Sequence, residues 1–304
     1  MAYKNMFNII SKTKYAYFFS GLLTFLSIIA LLTWGLKYSI DFTGGTLMEM
    51  KFANTLPPNS ELENTLKELN LKSLTLQSTG NNSVLIRYAS EDDKVNQSVV
   101  AVLTQKYPDS QNLRTDYANA SVSGELKTKS LLAIFWAVAG IMIYIAWAFR
   151  RVSHPVASWK YGAGAVIALV HDVLITVGVF SVLGHFWGIE IGVPFVAALL
   201  TILGFSVHDT IVVYDRTREN LQRSSAKEKF PEIVNRSLNE TLVRSINTSM
   251  TVIVTLLSIY IFGGESIKYF ALALLVGVTF GTYSSIFVAS ALLVTSYNLQ
   301  IKKK

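Results

Sequence analysis

The 304-residue sequence has no cysteine, which excludes a disulfide framework, a thiolate nucleophile and a zinc site built on thiolates. Charged side chains are also scarce, at 15% of the chain against about 25% in average soluble proteins. Hydrophobic residues make up 51% and are gathered into runs of about 20, long enough to cross a hydrocarbon layer of roughly 30 Å. A soluble globular enzyme and a disordered chain are therefore both excluded.

Six apolar segments predict membrane-spanning helices at residues 15–36, 130–149, 161–184, 191–214, 246–262 and 269–297. Sixteen of the 27 Lys and Arg residues lie in the two tails and in the second-to-third and fourth-to-fifth connections. Because basic residues mark cytoplasmic loops, both termini are predicted to be cytoplasmic. The same bias accounts for the net charge of +7, and no aromatic-basic module suggests nucleic-acid binding.

Residues 38–129 are predicted to form an external domain, between a first part at 1–37 and a membrane part at 130–304. Alternating and helical spacings predict strands at 46–52, 74–78, 83–89 and 111–117, with helices at 58–70 and 91–107. Asn59 or Ser60 is the expected N-cap of the first helix, and Gly80-Asn81-Asn82 the expected hairpin turn. The order β-α-β-β-α-β predicts a ferredoxin-like α+β domain, and nothing in it suggests an enzyme.

Charged residues inside the spans are the candidate functional groups, since they are costly in a membrane. Asp209 lies about five residues from the inner end of the fourth span, and Arg244 begins the fifth, antiparallel span. The arginine side chain could reach inward to Asp209 or extend outward to water. Asp209 could equally be a structural acid held by a neighbour. Asp172, beside His171 in the third span, must be protonated, paired or hydrated.

A polar stripe is predicted along the fifth span, where Arg244, Thr248, Thr251, Thr255 and Ser258 recur at spacings of four, three, four and three. It serves either helix packing or a hydrated pathway, and the nearby Asp209 favours the pathway. His208 precedes Asp209 as His171 precedes Asp172, but the two pairs lie on different spans, and no metal site is expected.

Proton coupling is the hypothesis that this chemistry suggests. A buried carboxylate pairs with a cation when ionised and releases it when protonated. Moving one charge through 100 mV supplies about 2.3 kcal/mol. Protons are therefore the expected coupling ion, with no other cofactor.

Three segments carry a family resemblance: Asp41-Phe42-Thr43-Gly44-Gly45, residues 204–216 (GFSVHDTIVVYDR) with Arg218-Glu219-Asn220, and residues 238–242 (LNETL) followed by Arg244. Together they resemble the SecD/SecF family of protein-export membrane proteins, in the RND superfamily, and within it the SecF branch. The resemblance covers the whole chain.

The resemblance implies a subunit that uses the proton motive force to assist late preprotein translocation. The implied partners are a SecD-like subunit, SecYEG, the preprotein and membrane lipids, in a bacterial inner membrane. It also implies that Asp209 is the proton-pathway acid and Arg244 its basic partner. Gly44-Gly45 would allow a sharp turn after the first span, and Asp41 would cap that junction; a plain turn and a transmission hinge are both open.

Two alternatives remain at this point. One is half of an RND-type exporter of lipids or small molecules, although the 92-residue external segment leaves little room for a substrate pocket. The other is a purely structural translocase subunit, in which Asp209 and Arg244 only hold two helices together.

Overall fold

The computed structural model describes residues 6–79, 82–90, 92–150, 155–224 and 228–301. The chain divides into two compact units. We call the first the helical unit (Met1–Leu36, Leu132–Ile189 and Pro194–Lys304) and the second the sheet domain (Lys37–Leu131 with Glu190–Val193). The short segment at 190–193 thus belongs to the sheet domain, although the sequence analysis placed residues 191–193 at the start of the fourth span.

Six helices among the described residues are long and apolar enough to cross a membrane, which confirms the predicted number. Five are single helices: α1 (Thr13–Thr33), α5 (Ala120–Ala148), α6 (Ser158–Trp187), α7 (Val193–Arg223) and α8 (Phe230–Phe262). The last span consists of α9 (Glu265–Ser284), a π-helical segment (Ser285–Ala289) and α10 (Ser290–Ile301).

The fourth and fifth spans extend well beyond the predicted apolar runs. α7 continues past the membrane-like segment to Arg223, where Glu219 pairs with Arg216 and with Arg223 at helical spacing. α8 starts at Phe230, sixteen residues before the predicted start of the span. Charged side chains interrupt hydropathy but not helical geometry, so the apolar run underestimates the helix.

The sheet domain contains β1 (Gly45–Phe52), α3 (Asn59–Leu66), β2 (Thr75–Thr79), β3 (Ser83–Tyr88), α4 (Asp93–Lys106) and β4 (Ser110–Ala118). The described strands form an antiparallel sheet in the order β2-β3-β1-β4. The order of strands and helices along the chain is the predicted one. Met48 and Met50 of β1 alternate inward and pack with Leu62, Leu66 and Leu103 from the two helices.

One predicted detail of this domain is wrong. The first helix has Pro58 at its N-cap position, without a side-chain cap. The Asn59 side chain instead reaches β2, donating to the Leu76 carbonyl and accepting from the Ser78 hydroxyl. The predicted turn at Gly80-Asn81 lies outside the described residues.

Small residues bring the spans of the helical unit close together. A Cβ on Gly277 would lie 2.2 Å from Ile202 of α7, and one on Gly281 would lie 3.1 Å from Ser206. A Cβ on Gly178 of α6 would lie 2.3 Å from Ser27 of α1. Because these glycines remove side-chain bulk, α7 packs directly on the last span and α1 on α6.

Candidate functional site

The glycine pair after the first span adopts backbone angles that favour glycine. Ile40–Thr43 form a single helical turn, α2, and the Ser39 hydroxyl accepts the Asp41 N–H at its start. Gly44 and Gly45 follow with φ of 73° and 110°. A Cβ on Gly45 would lie 2.5 Å from the Tyr88 carbonyl oxygen. Both the backbone angles and the contact with β3 therefore require glycine.

Asp41 caps a different element from the one expected. Its Oδ2 accepts the N–H of Val193, the first residue of α7, at 3.0 Å. A Cβ on Gly192 would lie 2.3 Å from the same oxygen. The first N–H groups of a helix have no partner within it, so Asp41 acts as the cap of α7.

The connection at 190–193 is also held by backbone and charge. Ser39 donates its N–H to the Ile191 carbonyl at 2.9 Å, and Ile191 donates to the Lys37 carbonyl at 2.8 Å. Glu190 forms an ion pair with Arg87 of β3, with both side chains largely buried. Burial lowers the pKa of Arg87 to about 10, opposed by the negative charge of Asp41.

Asp209 is buried among hydroxyl groups, with 3% of its surface exposed. Its Oδ2 accepts a long hydrogen bond, 3.5 Å, from Ser249 of α8. The Ser249 hydroxyl also lies 2.5 Å from that of Thr282 in the last span. Ser245, one turn before Ser249, has a buried hydroxyl with no partner among the described residues. α7, α8 and α9 thus meet around a carboxyl group with few hydrogen bonds.

The structure does not bring Arg244 to Asp209. Among the described residues no ion pair joins them, and Arg244 is exposed. Successive helical residues differ by about 100° around the axis, and it is Ser245 that faces inward. Of the two orientations left open for the Arg244 side chain, the inward one toward Asp209 is not seen among the described residues.

The predicted stripe on α8 lies on the open face of the helix. Thr248, Thr251, Thr255 and Ser258 are all exposed. Each of their hydroxyls donates to a carbonyl three or four residues earlier on α8, at 2.7–2.9 Å. His208 is exposed as well. Among the described residues, none of the four stripe hydroxyls is hydrogen-bonded to Asp209.

Asp172 is the most enclosed acid described, with none of its surface exposed. Oδ2 accepts from Ser206 of α7 at 2.6 Å and from Ser284 of α9 at 2.7 Å. Oδ1 lies 2.9 Å from His171 Nδ1. We call these four residues the Asp172 cage. Its hydrogen-bond partners come from three spans and surround the Asp172 carboxyl group inside the helical unit.

Hydroxyls of α7 and the last span were missed by sequence reasoning, although they surround both acids. Thr210 and Ser285 are 2.9 Å apart, and Ser285 also donates to the Ser206 and Gly281 carbonyls. A sequence signal existed in part: Ser206 precedes Asp209 by three residues, on the same helix face. Serine is unremarkable in an apolar helix, however, because it can bond to its own backbone.

Comparisons with known proteins agree with this architecture. Residues 98–299 match the family "Protein export membrane protein SecD/SecF, C-terminal", and residues 29–55 match the "SecD/SecF GG Motif". Protein translocase subunit SecF of Thermobaculum terrenum is 44% identical over 95% of this chain and 94% of its own length. The chain belongs to the SecF family of protein translocase subunits. Membership of the SecF family gives it an accessory role in Sec protein export.

More distant SecF relatives also match over most of their length. Protein translocase subunit SecF of Haemophilus influenzae is 35% identical, over 96% of this chain and 85% of that protein. The crystal structure of SecDF from Thermus thermophilus superposes with a TM-score of 0.85 and 32% identity, over 98% of this chain. The chain spans 40% of the length of that SecDF chain, so a SecF-like chain corresponds to part of a larger unit.

Proposed function

We propose that this chain, with a SecD-like partner, uses the proton motive force to assist late preprotein translocation through SecYEG. The site would lie in a bacterial inner membrane, with both termini in the cytoplasm. Asp209 is the proposed proton-binding group and Arg244 the proposed cation of the pathway. Six spans with a family relation to SecDF support this assembly.

The observation that carries the proposal is the contrast between Asp209 and Arg244. Asp209 is enclosed by hydroxyls of its own chain, whereas Arg244 and the stripe on α8 are open. An arginine at the edge of a membrane span needs an anion, water or a carbonyl as its partner. Asp209 does not supply that anion within this chain. We therefore expect the SecD-like partner to supply the group that contacts Arg244.

Asp209 would work by changing its charge. As a carboxylate it draws the hydroxyls of Ser249 and Thr282 toward itself, and as a neutral acid it becomes a donor. Each change alters which hydroxyls of α8 and α9 it holds, so protonation can shift the packing of α7 against those helices. One proton crossing 100 mV supplies about 2.3 kcal/mol for such a shift.

The test compares Asp209→Asn with Asp215→Asn on the same helix. Asp215 is exposed and pairs with Arg218 at 3.5 Å, with no hydrogen bond to Ser249 or Thr282 among the described residues. Export of a reporter preprotein is measured in inverted membrane vesicles, with the proton gradient intact or collapsed, at matched levels of both variants. Asparagine keeps the shape of aspartate but cannot ionise.

We expect Asp209→Asn to export at the rate that wild type shows after the gradient is collapsed. Asp215→Asn should keep its response to the gradient. If Asp209→Asn at normal abundance still responds as wild type does, the coupling role of Asp209 is refuted. The chain would then act as a structural subunit, or another group would carry the proton.

A further inference from the structure

The Asp172 cage contains one atom that a purely structural cluster would not leave free. His171 is 7% exposed, and its Nε2 has no hydrogen-bond partner among the described residues. Its other nitrogen, Nδ1, lies 2.9 Å from Asp172 Oδ1. A buried imidazole normally forms hydrogen bonds through both nitrogens. The unpaired Nε2 is therefore a buried basic atom that can accept a proton.

In the His171–Asp172 pair, both oxygens of the aspartate have hydrogen-bond partners. With Nδ1–H donating to Oδ1 and two serine hydroxyls donating to Oδ2, Asp172 satisfies the requirements of an ionised acid. In this arrangement the imidazole is neutral, and its lone pair is on Nε2. The next proton to reach the cage therefore meets an acceptor at Nε2 rather than at the carboxylate.

We propose that His171 and Asp172 form a second proton-binding site, which relays protons toward Asp209. A proton binds Nε2; the N–H bond at Nδ1 breaks as an O–H bond forms at Oδ1. The imidazole remains neutral, with its proton now on Nε2, and Asp172 becomes a neutral acid. After Asp172 has passed its proton on, a second proton binds Nδ1 and the proton on Nε2 leaves, which restores the starting tautomer.

The route from the cage to Asp209 follows two helices that both acids touch. On α7, Ser206 of the cage precedes Asp209 by three residues, about 4.5 Å along the axis. On α9, Ser284 of the cage is two residues from Thr282, whose hydroxyl lies beside the Ser249 hydroxyl that bonds Asp209. Hydroxyls can both accept and donate, so they can carry a proton between the acids.

The groups that face the pair from neighbouring helices are mostly uncharged. The Tyr283 ring of α9 lies 6.4 Å from the imidazole, and its hydroxyl is 3.1 Å from that of Ser20 on α1. α7 supplies Ser206, with Asp209 as the nearest acid along that helix. A proton added to the pair is thus exchanged with Asp209 more readily than with any other acid described on these helices.

The inference rests on the proposed function, and its test separates the two. Proton uptake is followed in vesicles containing the chain with its SecD-like partner, over a range of pH. The variants are His171→Gln, Asp172→Asn and Asp209→Asn, with His185→Gln as the control. His185 lies on the same helix and stacks on Trp34 at 4.8 Å, away from the cage.

We expect His171→Gln to slow proton uptake by about tenfold or more and to change its pH profile, because glutamine can donate to Asp172 but cannot relay. His185→Gln should match wild type. In infrared difference spectra, a carbonyl band of protonated carboxyl should titrate with pH, vanish in Asp172→Asn and move its midpoint in His171→Gln. If Asp172→Asn does not accumulate, His171→Gln decides the question.

Wild-type uptake and an unmoved carboxyl band in His171→Gln would overturn the relay and leave the cage as a structural cluster. If Asp209→Asn abolishes uptake in that case, the proposed function stands without the second site. If Asp209→Asn has no effect, the proposed function fails, whatever the result at His171.

Discussion

Two polar groupings in the helical unit differ in where their partners lie. Asp172 is enclosed, and its hydrogen-bond partners come from α6, α7 and α9 of its own chain. The stripe on α8 is open: its hydroxyls bond only to their own helix, and Arg244 has no ion-pair partner among the described residues. The two groupings therefore serve different purposes, although hydropathy alone treats both as polar interruptions of a span.

This difference distinguishes polar contacts that stabilise this chain by itself from polar groups that are left for a partner chain. A buried acid with its donors in place holds helices together without help from another protein. Hydroxyls that donate to their own helix backbone cost little free energy when they face lipid. The charged guanidinium of Arg244 still requires a partner. The closed cage is thus sufficient within one chain, and the open stripe is suited to a second one.

The largest expected effect comes from breaking the closed cage. Ser206→Ala with Ser284→Ala removes both donors to Asp172 Oδ2 without adding bulk. We expect the free energy of unfolding to fall by about 2–4 kcal/mol, since a buried carboxylate then lacks two hydrogen bonds. Thermal unfolding of the purified chain in a bilayer mimetic measures the change.

The control for this prediction is a serine with a neutral partner. Ser290 is also buried, and its hydroxyl donates to the Ser285 carbonyl at 3.0 Å. Ser290→Ala should cost about 1 kcal/mol. If the double variant lost no more stability than Ser290→Ala, Asp172 would not depend on its cage, and the contrast with the stripe would disappear.

Much of the difference between the Asp172 cage and the stripe on α8 could be predicted, because the spans and their acids are visible in short stretches of sequence. Runs of apolar residues predict the spans, and Asp172 and Asp209 are conspicuous inside them. The face on which Arg244 lies was not predictable in the same way. Arg244 and Ser245 are neighbours in sequence, and only the rotation of α8 against α7 decides which of them meets Asp209.

Contacts between distant segments account for the rest. The Asp41 cap of α7 joins residues 152 positions apart, and nothing in either segment alone indicates the other. The Arg87–Glu190 pair likewise joins β3 to a connection between two spans. The π-helical segment at Ser285–Ala289 also has no local signature, since it depends on how the last span packs.

A smaller effect is expected from the open stripe. Thr251→Val with Thr255→Val keeps the shape of the helix and removes two hydroxyls that bond only to α8. Unfolding of the isolated chain should change by well under 1 kcal/mol, whereas association with a SecD-like partner should weaken by about 1 kcal/mol. Energy-transfer titration of labelled subunits in a common bilayer measures that association.

Because the chain has no cysteine, the location of the partner can be mapped with single cysteines. Thr251→Cys should cross-link to the SecD-like subunit. Phe135→Cys on α5 should not, since Phe135 is 62% exposed on a part of the helix whose other exposed residues are apolar. Equal cross-linking from both positions would show that the stripe has no special relation to the partner.

The sheet domain repeats the contrast between an enclosed and an open polar group, and there the expected effect is smallest. Arg87 and Glu190 are enclosed, whereas Glu61 accepts from Tyr107 at 2.8 Å and pairs with Lys106 at 3.3 Å on an open surface. The Tyr107 hydroxyl and then the Lys106 ammonium hold the pKa of the Glu61 carboxyl below its usual range. Exposure to solvent weakens such pairs, so their contribution to stability is small.

The lowered pKa of Glu61 fixes how its contribution to stability depends on pH. The unfolded chain binds the Glu61 proton at higher pH than the folded chain does, so the contribution is present above about pH 4.5 and is lost as pH falls through the folded pKa. Hydrogen exchange of β1 to β4, compared at each pH between wild type and Glu61→Gln, should show a small difference that shrinks on acidification. A difference that grew toward low pH would mean that the neutral acid, and not the carboxylate, makes the stronger contacts with Tyr107 and Lys106.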